Sequence, residues 1–269
     1  MSMTMKTRVI MATAAASVLL FPGTATALAY PVEDAPLLTG NALYAAGKLP
    51  AAGCADKPAK GKTLASVKKH INALITCMND TWGPYLKQAD LSFVAPKVEM
   101  YGTTLEKKYE RYCFGAKRNP AKSEVVHCFG TFLSVHIRPD WIKSSDDVPI
   151  FAELSSAYAE HVLSLVDITE GYNALHADDG DEILEQLRRF NLQAKCLGGM
   201  TAKSLWAALG YPAKDTGRLL DLAKAEADSK GEFRYFGKGA NLVYWTKRGY
   251  STSDPRSCKT WNAPSAKVS

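Results

Sequence analysis

The sequence lacks several short motifs that would assign an activity directly. It has no Gly-x-Ser-x-Gly element, the strand-to-helix turn that exposes the serine nucleophile of α/β-hydrolases. It has no Cys-x-x-Cys, which disfavours dithiol redox catalysis, and no closely spaced cysteine pair of the zinc-knuckle type. The acidic stretch 176–182 lacks the alternating oxygen ligands and distant glutamate of an EF-hand. Function therefore has to be inferred from residue spacing.

Long apolar runs are also missing after the N-terminus. Two basic residues precede the apolar stretch 9–21, which is too short to span a bilayer and is followed by small residues before Tyr30. We expect residues 1–29 to be a signal peptide, which leaves 30–269 as a single domain without a membrane span. This pattern predicts a secreted, extracellular or cell-envelope protein.

The formal net charge is +6, but the basic residues are scattered and have no aromatic residues interleaved. A specific nucleic-acid surface is therefore not expected. Loose attraction to an anionic cell wall is an alternative to a simple solvated face, and the solvated face is the preferred interpretation.

Six cysteines follow the predicted cleavage site. An even number in an exported chain favours three disulfides, and composition alone allows about 15 pairings. The six are Cys54, Cys77, Cys113, Cys128, Cys196 and Cys258.

Hydrophobic periodicity predicts an α+β fold that is mostly helical with a small sheet. The first predicted helix begins at Leu64 and ends at Gly83 and Pro84. Further helices are predicted at 149–168, 181–209, 215–229 and 241–249, and strands within 92–102 and 125–137.

Three local clusters are candidates for chemistry. Glu160 and His161 are adjacent on one helix and point about 100° apart, and His161 falls on the apolar stripe, which favours a hydrogen-bonded core histidine over a ligand. Asn191 and Lys195 share a face at i, i+4. His176 lies in an acidic loop that is most simply a solvated turn before a helix N-terminus.

Several segments in order resemble the bacterial neutral zinc metallopeptidase family, whose members have a zincin-like fold. The segments are NALYAAGKLPAAGC (41–54), CMNDTWGPYL (77–86), RRFNLQAKCLGG (188–199) and WTKRGYSTSDPRSCKTW (245–261). The resemblance covers essentially all of 30–269.

The resemblance implies a zinc site that this chain has lost. The family carries His-Glu-x-x-His on the first site helix, with two zinc histidines and a glutamate base, and a third zinc ligand on the next helix. Here the first histidine is replaced by Ser156, the base by Ala157 and the second histidine by Glu160. The third ligand is replaced by Asn191 and a nearby aspartate by Lys195.

Other family positions also differ or have no metal role. His161 matches an additional family histidine that is not a ligand, and Phe236–Gly237 replaces a later His-Gly. No metal or cofactor is therefore expected. We predict instead that the Lys195 ammonium occupies part of the metal position and pairs with Glu160, with Ser156 or Asn191 completing the hydrogen bonds.

The resemblance also implies a disulfide pairing and a function. The implied disulfides are Cys54–Cys77, Cys113–Cys128 and Cys196–Cys258. The implied function is that of a secreted pseudoenzyme, a catalytically inactive metallopeptidase homologue that binds an unknown protein or peptide. The strand at 130–137 is the candidate edge for adding an extended peptide.

Two alternatives remain at this stage. One is an active neutral zinc metallopeptidase with a rearranged site that uses Glu160, His161 or His176. The other is a structural protein of the cell envelope.

Overall fold

Helices dominate the computed structural model, which describes residues 30, 32, 34–54, 60–102, 125–128, 130–229, 231 and 233–269. The helices are α1 Pro36–Thr39, α2 Leu64–Gln88, α3 Pro139–Lys143, α4 Val148–Leu165, α5 Ile168–Asn173, α6 Gly180–Trp206, α7 Thr216–Ala225 and α8 Gly239–Thr252. The strands are β1 Lys97–Tyr101, β2 Val125–Cys128 and β3 Phe132–His136. The mostly helical composition with a small sheet agrees with the sequence periodicity. The predicted signal peptide lies outside the described residues.

Helix α2 begins at a capping box and does not end where the sequence predicts. The Thr63 hydroxyl accepts from the Ser66 backbone N–H at 3.2 Å, and the Thr63 N–H donates to the Ser66 hydroxyl at 3.0 Å. The expected end at Gly83 and Pro84 is wrong, because the helix continues to Gln88. A proline in a helix interior removes one hydrogen bond. Burial of the following turn, where Tyr85 donates to a backbone carbonyl at 2.8 Å, offsets that loss.

The helix predicted at 149–168 is divided in two. Helix α4 ends at Leu165, and Asp167 adopts a left-handed conformation with φ of 61° before α5 begins. Both helices keep their apolar sides inside, since Val162 and Ile168 are fully buried. Periodicity continues across the break, so the sequence alone could not locate it.

The three strands form one sheet with the order β1-β3-β2. Strand β3 pairs in parallel with β1, where Val98 lies opposite Leu133, and antiparallel with β2. The expectation that 130–137 offers a free edge is therefore wrong, because both sides of β3 are already paired. The run 125–137 is a hairpin that turns at Gly130, whose φ of +73° suits a glycine.

Close backbone contacts place α6 between α4 and α8. A Cβ atom at Gly198 would lie 3.1 Å from the Ser156 Cα of α4. A Cβ atom at Gly249 of α8 would lie 1.8 Å from the Cys196 carbonyl oxygen of α6. Glycine is required where two backbones approach this closely. The site residues on α4 and α6 are therefore held by tightly packed helices.

The C-terminal segment, which follows α8, is held against α6 by a disulfide and by hydrogen bonds. The Cys196–Cys258 disulfide joins α6 to this segment, with a Cα–Cα distance of 5.5 Å. The Arg189 guanidinium pairs with Glu185 at 2.6 Å, and both side chains are nearly fully buried. Arg189 also donates to the Ala263 carbonyl at 2.8 Å. Pairing the charges makes such a buried ion pair tolerable, although the Arg189 Nε–H has no hydrogen-bond partner among the described residues.

Two of the three implied disulfides are present. Cys54 and Cys77 are bonded with a Cα–Cα distance of 5.3 Å, as are Cys196 and Cys258. Cys113 lies outside the described residues, so its predicted bond to Cys128 stays a prediction. None of the helices in the described ranges has the length and apolar character needed to cross a membrane.

Candidate functional site

A small polar cavity between α4 and α6 brings together all five site positions that the sequence singles out. Its volume is about 20 Å³, enough for about one water molecule. It is lined by Ser156, Ala157 and Glu160 from α4, Asn191 and Lys195 from α6, and by Val125, Glu153, Glu226 and Phe236.

Helix periodicity explains the α4 wall of the cavity. Glu153, Ser156, Ala157 and Glu160 are spaced at i, i+3, i+4 and i+7, so they share one face. Glu160 is 9% exposed, and Ala157 is buried beside it. Asn191 and Lys195 lie one turn apart on α6 and face the same space. The two long helices therefore set the positions of these side chains.

Lys195 is the central cation of the cavity. Its ammonium donates to the Ser156 hydroxyl oxygen at 3.1 Å and forms an ion pair with Glu226. The lysine side chain is 9% exposed and the glutamate side chain 23%. The predicted hydrogen bond to Ser156 is confirmed. The ion pair, however, is made with Glu226 at the end of α7 rather than with Glu160.

Asn191 has a different role from the one predicted. Its side-chain amide donates to the Tyr235 carbonyl oxygen at 2.8 Å, and the residue is only 6% exposed. This hydrogen bond holds the segment 233–238 across the cavity. Asn191 therefore does not complete the hydrogen bonds of Lys195. Phe236 of the same segment lines the cavity.

His161 lies outside the cavity and belongs to the core. It is fully buried, and its Nε2–H donates to the Val94 carbonyl at 2.8 Å. Its ring packs against Tyr158 and His127, with centroids 5.7 Å and 5.6 Å away. Burial lowers the pKa of His161 to about 4, against the opposing effect of the hydrogen bond that His161 donates to the Val94 carbonyl. The interpretation as a hydrogen-bonded core histidine is therefore confirmed.

His176 is a surface residue in the acidic loop. Its side chain is 89% exposed and lies 3.5 Å from a carboxylate oxygen of Asp178. Asp179 caps α6 by accepting from the Glu182 backbone N–H at 2.8 Å. The structure therefore does not bring His161 and His176 into the cavity with Glu160.

The side chains of the cavity do not fit a zinc ion. A zinc site takes three strong protein ligands drawn from thiolate, imidazole and carboxylate. Ser156 and Asn191 offer only neutral oxygens, and Glu226, one of the carboxylates that line the cavity, is paired with Lys195. Among the residues that the structure describes, no three His, Cys, Asp or Glu side chains are grouped so as to hold a metal ion. The Lys195 ammonium in the same space would also repel a dication.

The contact between Ser156 and Lys195 also has the residue types of a serine–lysine nucleophile pair. Serine activation requires a neutral base that accepts the hydroxyl proton. Lys195 is instead an ammonium that is paired with Glu226 and donates to Ser156. In this arrangement it has no lone pair with which to accept a proton.

Glu226 and Glu153 are the site residues that the sequence reasoning missed. Glu226 follows the last residue of α7, where the helix dipole disfavours a carboxylate. That unfavourable placement was the only sequence signal that it needed a cationic partner. Glu153 could have been found from its helical spacing with Ser156 and Glu160.

Comparison with other proteins adds no family assignment. No protein-family model, curated protein or solved structure matches this chain. The resemblance to zinc metallopeptidases therefore rests on the quoted sequence segments and on the positions that they align.

Proposed function

We propose that this chain is a secreted, zinc-free homologue of the neutral zinc metallopeptidases that acts by binding a protein or peptide. The supporting observation is the position of Lys195, whose ammonium lies among the aligned metal-site residues. Its contacts with Ser156 and Glu226 form a closed polar cluster that satisfies its charge. A cavity organised in this way supports a scaffold that has kept its fold and lost its zinc site.

The lack of a base supports a non-catalytic role. Ala157 stands where the resemblance places the general base, and its methyl group cannot exchange a proton. A positioned acid–base group contributes about 10² to 10⁴ in rate. Glu160 lies one turn further along α4, and Glu153 and Glu226 also line the cavity. In the described part of the chain, however, no three His, Cys, Asp or Glu side chains are grouped so as to hold a metal ion.

The size of the cavity favours a binding surface elsewhere on the molecule. About 20 Å³ cannot admit a peptide side chain of any length. Strand addition to β3 is excluded because β1 and β2 already pair with it. A binding role therefore calls for an exposed surface near the cavity.

Metal content and activity of the purified full chain, with its disulfides intact, test the proposal. We expect substoichiometric zinc and no peptide hydrolysis, with or without a chelator. Stoichiometric zinc with chelator-sensitive hydrolysis would overturn the proposal and favour the rearranged metallopeptidase.

A serine-reactive phosphonate probe tests the other catalytic arrangement that the geometry allows. We expect no labelling of the wild-type chain, since Lys195 donates to Ser156. Labelling that disappears in Ser156→Ala would show that Ser156 is a nucleophile and would contradict a purely binding role.

A further inference from the structure

Two aromatic rings project into solvent from the segment that crosses the cavity, residues 233–238, here named the aromatic loop. Phe233 is 69% exposed and Tyr235 is 44% exposed, and their ring centroids are 5.9 Å apart. Isolated exposed apolar residues are ordinary on a protein surface. Two neighbouring aromatic rings on one short segment are less ordinary, because aromatic residues are enriched at the centres of interfaces.

The aromatic loop is held in one backbone conformation by its contacts with the body of the protein. The carbonyl oxygens of Arg234 and Tyr235 accept from Arg188 at 3.0 Å and from Asn191 at 2.8 Å. The Asp228 carboxylate accepts from the next two backbone N–H groups, at 2.8 Å and 2.6 Å. A loop that is already ordered loses little entropy on binding, which favours affinity.

The loop also presents the exposed positive charge of Arg234. Arg234 lies between the two rings in sequence and forms no ion pair with any residue that the structure describes. Among the residues that the structure describes, Asp228 is the one whose carboxylate contacts the loop, and it accepts from two backbone N–H groups. The pKa of Arg188 is lowered chiefly by burial and also by the charge of Arg234, against the opposing effect of Glu185, Asp228 and Asp181.

We infer that the aromatic loop is the recognition surface of this protein and that it binds a peptide segment in which an acidic side chain neighbours an apolar one. Phe233 and Tyr235 supply the apolar contact, and Arg234 supplies a forked donor for the carboxylate. The inference rests on the proposed function to the extent that binding is the activity of the chain. It assigns that binding to exposed residues at the mouth of the cavity rather than to the cavity itself.

The test begins with a library of random linear peptides displayed on phage and selected on the full disulfide-bonded chain. The dominant peptide is then synthesised, and its affinity is measured by fluorescence anisotropy. We expect the selected peptides to carry Asp or Glu beside an apolar residue. Phe233→Ala with Tyr235→Ala should weaken binding by about 30-fold.

Charge reversal makes the test specific. The Arg234→Glu variant should no longer bind the selected peptide. It should bind the same peptide once the acidic residue of that peptide is replaced by lysine. Ile183→Ala is the matched control, because Ile183 is also exposed, at 53%, and belongs to α6 and not to the loop. It should leave the affinity unchanged.

The remaining outcomes all contradict the inference. These are a selection without any enriched peptide, enriched peptides without acidic residues, and affinity that survives the loop substitutions. A dimer that the Phe233 and Tyr235 substitutions dissociate would show that a second copy covers the loop. None of these results changes the metal content or hydrolysis, so the proposed lack of catalysis is judged separately.

Discussion

At the scale of single residues, His161 couples folding to pH. Burial, with a smaller contribution from the nearby His127, lowers its pKa to about 4 in the folded protein. An unfolded chain has a histidine pKa of about 6.5. Between these values the unfolded chain binds a proton at this position and the folded chain does not. The stability that neutral His161 provides is therefore present above about pH 6.5 and is lost as the pH falls towards 4.

Replacing His161 should flatten this pH dependence. Because the two pKa values differ, His161 should lower the free energy of unfolding by about 3 kcal/mol when the pH falls from 7 to 4. We expect the difference in free energy of unfolding between pH 7 and pH 4 to shrink by that order in His161→Gln, as measured by urea titration. His176→Gln is the control, since that side chain is 89% exposed, and it should behave as the wild type does. An unchanged difference in His161→Gln would contradict the assignment.

Two buried threonines should respond in opposite ways to the loss of a hydroxyl. The Thr246 hydroxyl has no hydrogen-bond partner in the part of the chain that the structure describes, although the residue is only 4% exposed. The Thr201 hydroxyl accepts from the Trp82 indole at 3.0 Å and donates to the Leu197 carbonyl at 3.0 Å. An unsatisfied buried hydroxyl is destabilising by about 1 to 3 kcal/mol.

Substitution by valine keeps the shape and removes only the hydroxyl. We expect Thr246→Val to raise the free energy of unfolding by about 1 kcal/mol and Thr201→Val to lower it by about 1 to 3 kcal/mol. Urea titration of both variants at one pH measures these changes. If Thr246→Val destabilises the protein, its hydroxyl must bind a water in the small cavity that it lines with Ser155.

At the scale of elements, the contact between α6 and α8 depends on glycine. A Cβ atom at Gly249 would lie 1.8 Å from the Cys196 carbonyl oxygen, so the helices would have to separate. We expect Gly249→Ala to lower the free energy of unfolding by about 3 kcal/mol or more, measured by chemical denaturation. Gly217→Ala is the matched control, because a Cβ atom at that position in α7 would meet nothing within 4 Å.

The control should change stability in the opposite direction. Alanine is favoured over glycine in a helix by up to about 1 kcal/mol, so Gly217→Ala should stabilise the protein slightly. Equal effects of the two substitutions would mean that helix propensity, and not the approach of α6 and α8, determines the result.

Helices were predictable from the sequence where the apolar spacing was regular. Features that depend on tertiary contacts, such as the end of a helix or the order of strands, were less predictable. The long helices α4 and α6 begin within one residue of their predicted starts. Pro84 does not end α2, because burial of the next turn outweighs one lost hydrogen bond. The central place of β3 could not be deduced either, since strand order depends on pairing between distant segments.

At the scale of the whole molecule, the cavity residues were predictable and their pairing was not. Helical spacing was enough to put Ser156, Glu160 and Lys195 around one space. The partner of Lys195 is Glu226, which reaches the cavity through the packing of α7 against α4. That packing is long-range, so no local pattern on α6 could reveal it.

The same geometry allows the resemblance to metallopeptidases to be tested by rebuilding the site. Ser156→His, Glu160→His and Asn191→Glu would place two imidazoles one turn apart on α4 and a carboxylate on α6, facing one cavity. Lys195→Asp would remove the ammonium that repels a dication. We expect the fourfold variant to bind about one zinc ion per chain, as measured by metal analysis after dialysis.

The matched control keeps Lys195 while carrying the other three substitutions. Its ammonium should compete with the metal for the same space, so it should retain little zinc. Circular dichroism must show that both variants remain helical, because a misfolded chain would bind zinc through loose histidines. Folded variants that take up no zinc, or that take it up equally, would mean that α4 and α6 are not arranged as a metallopeptidase site. The shared sequence segments would then not reflect a shared scaffold.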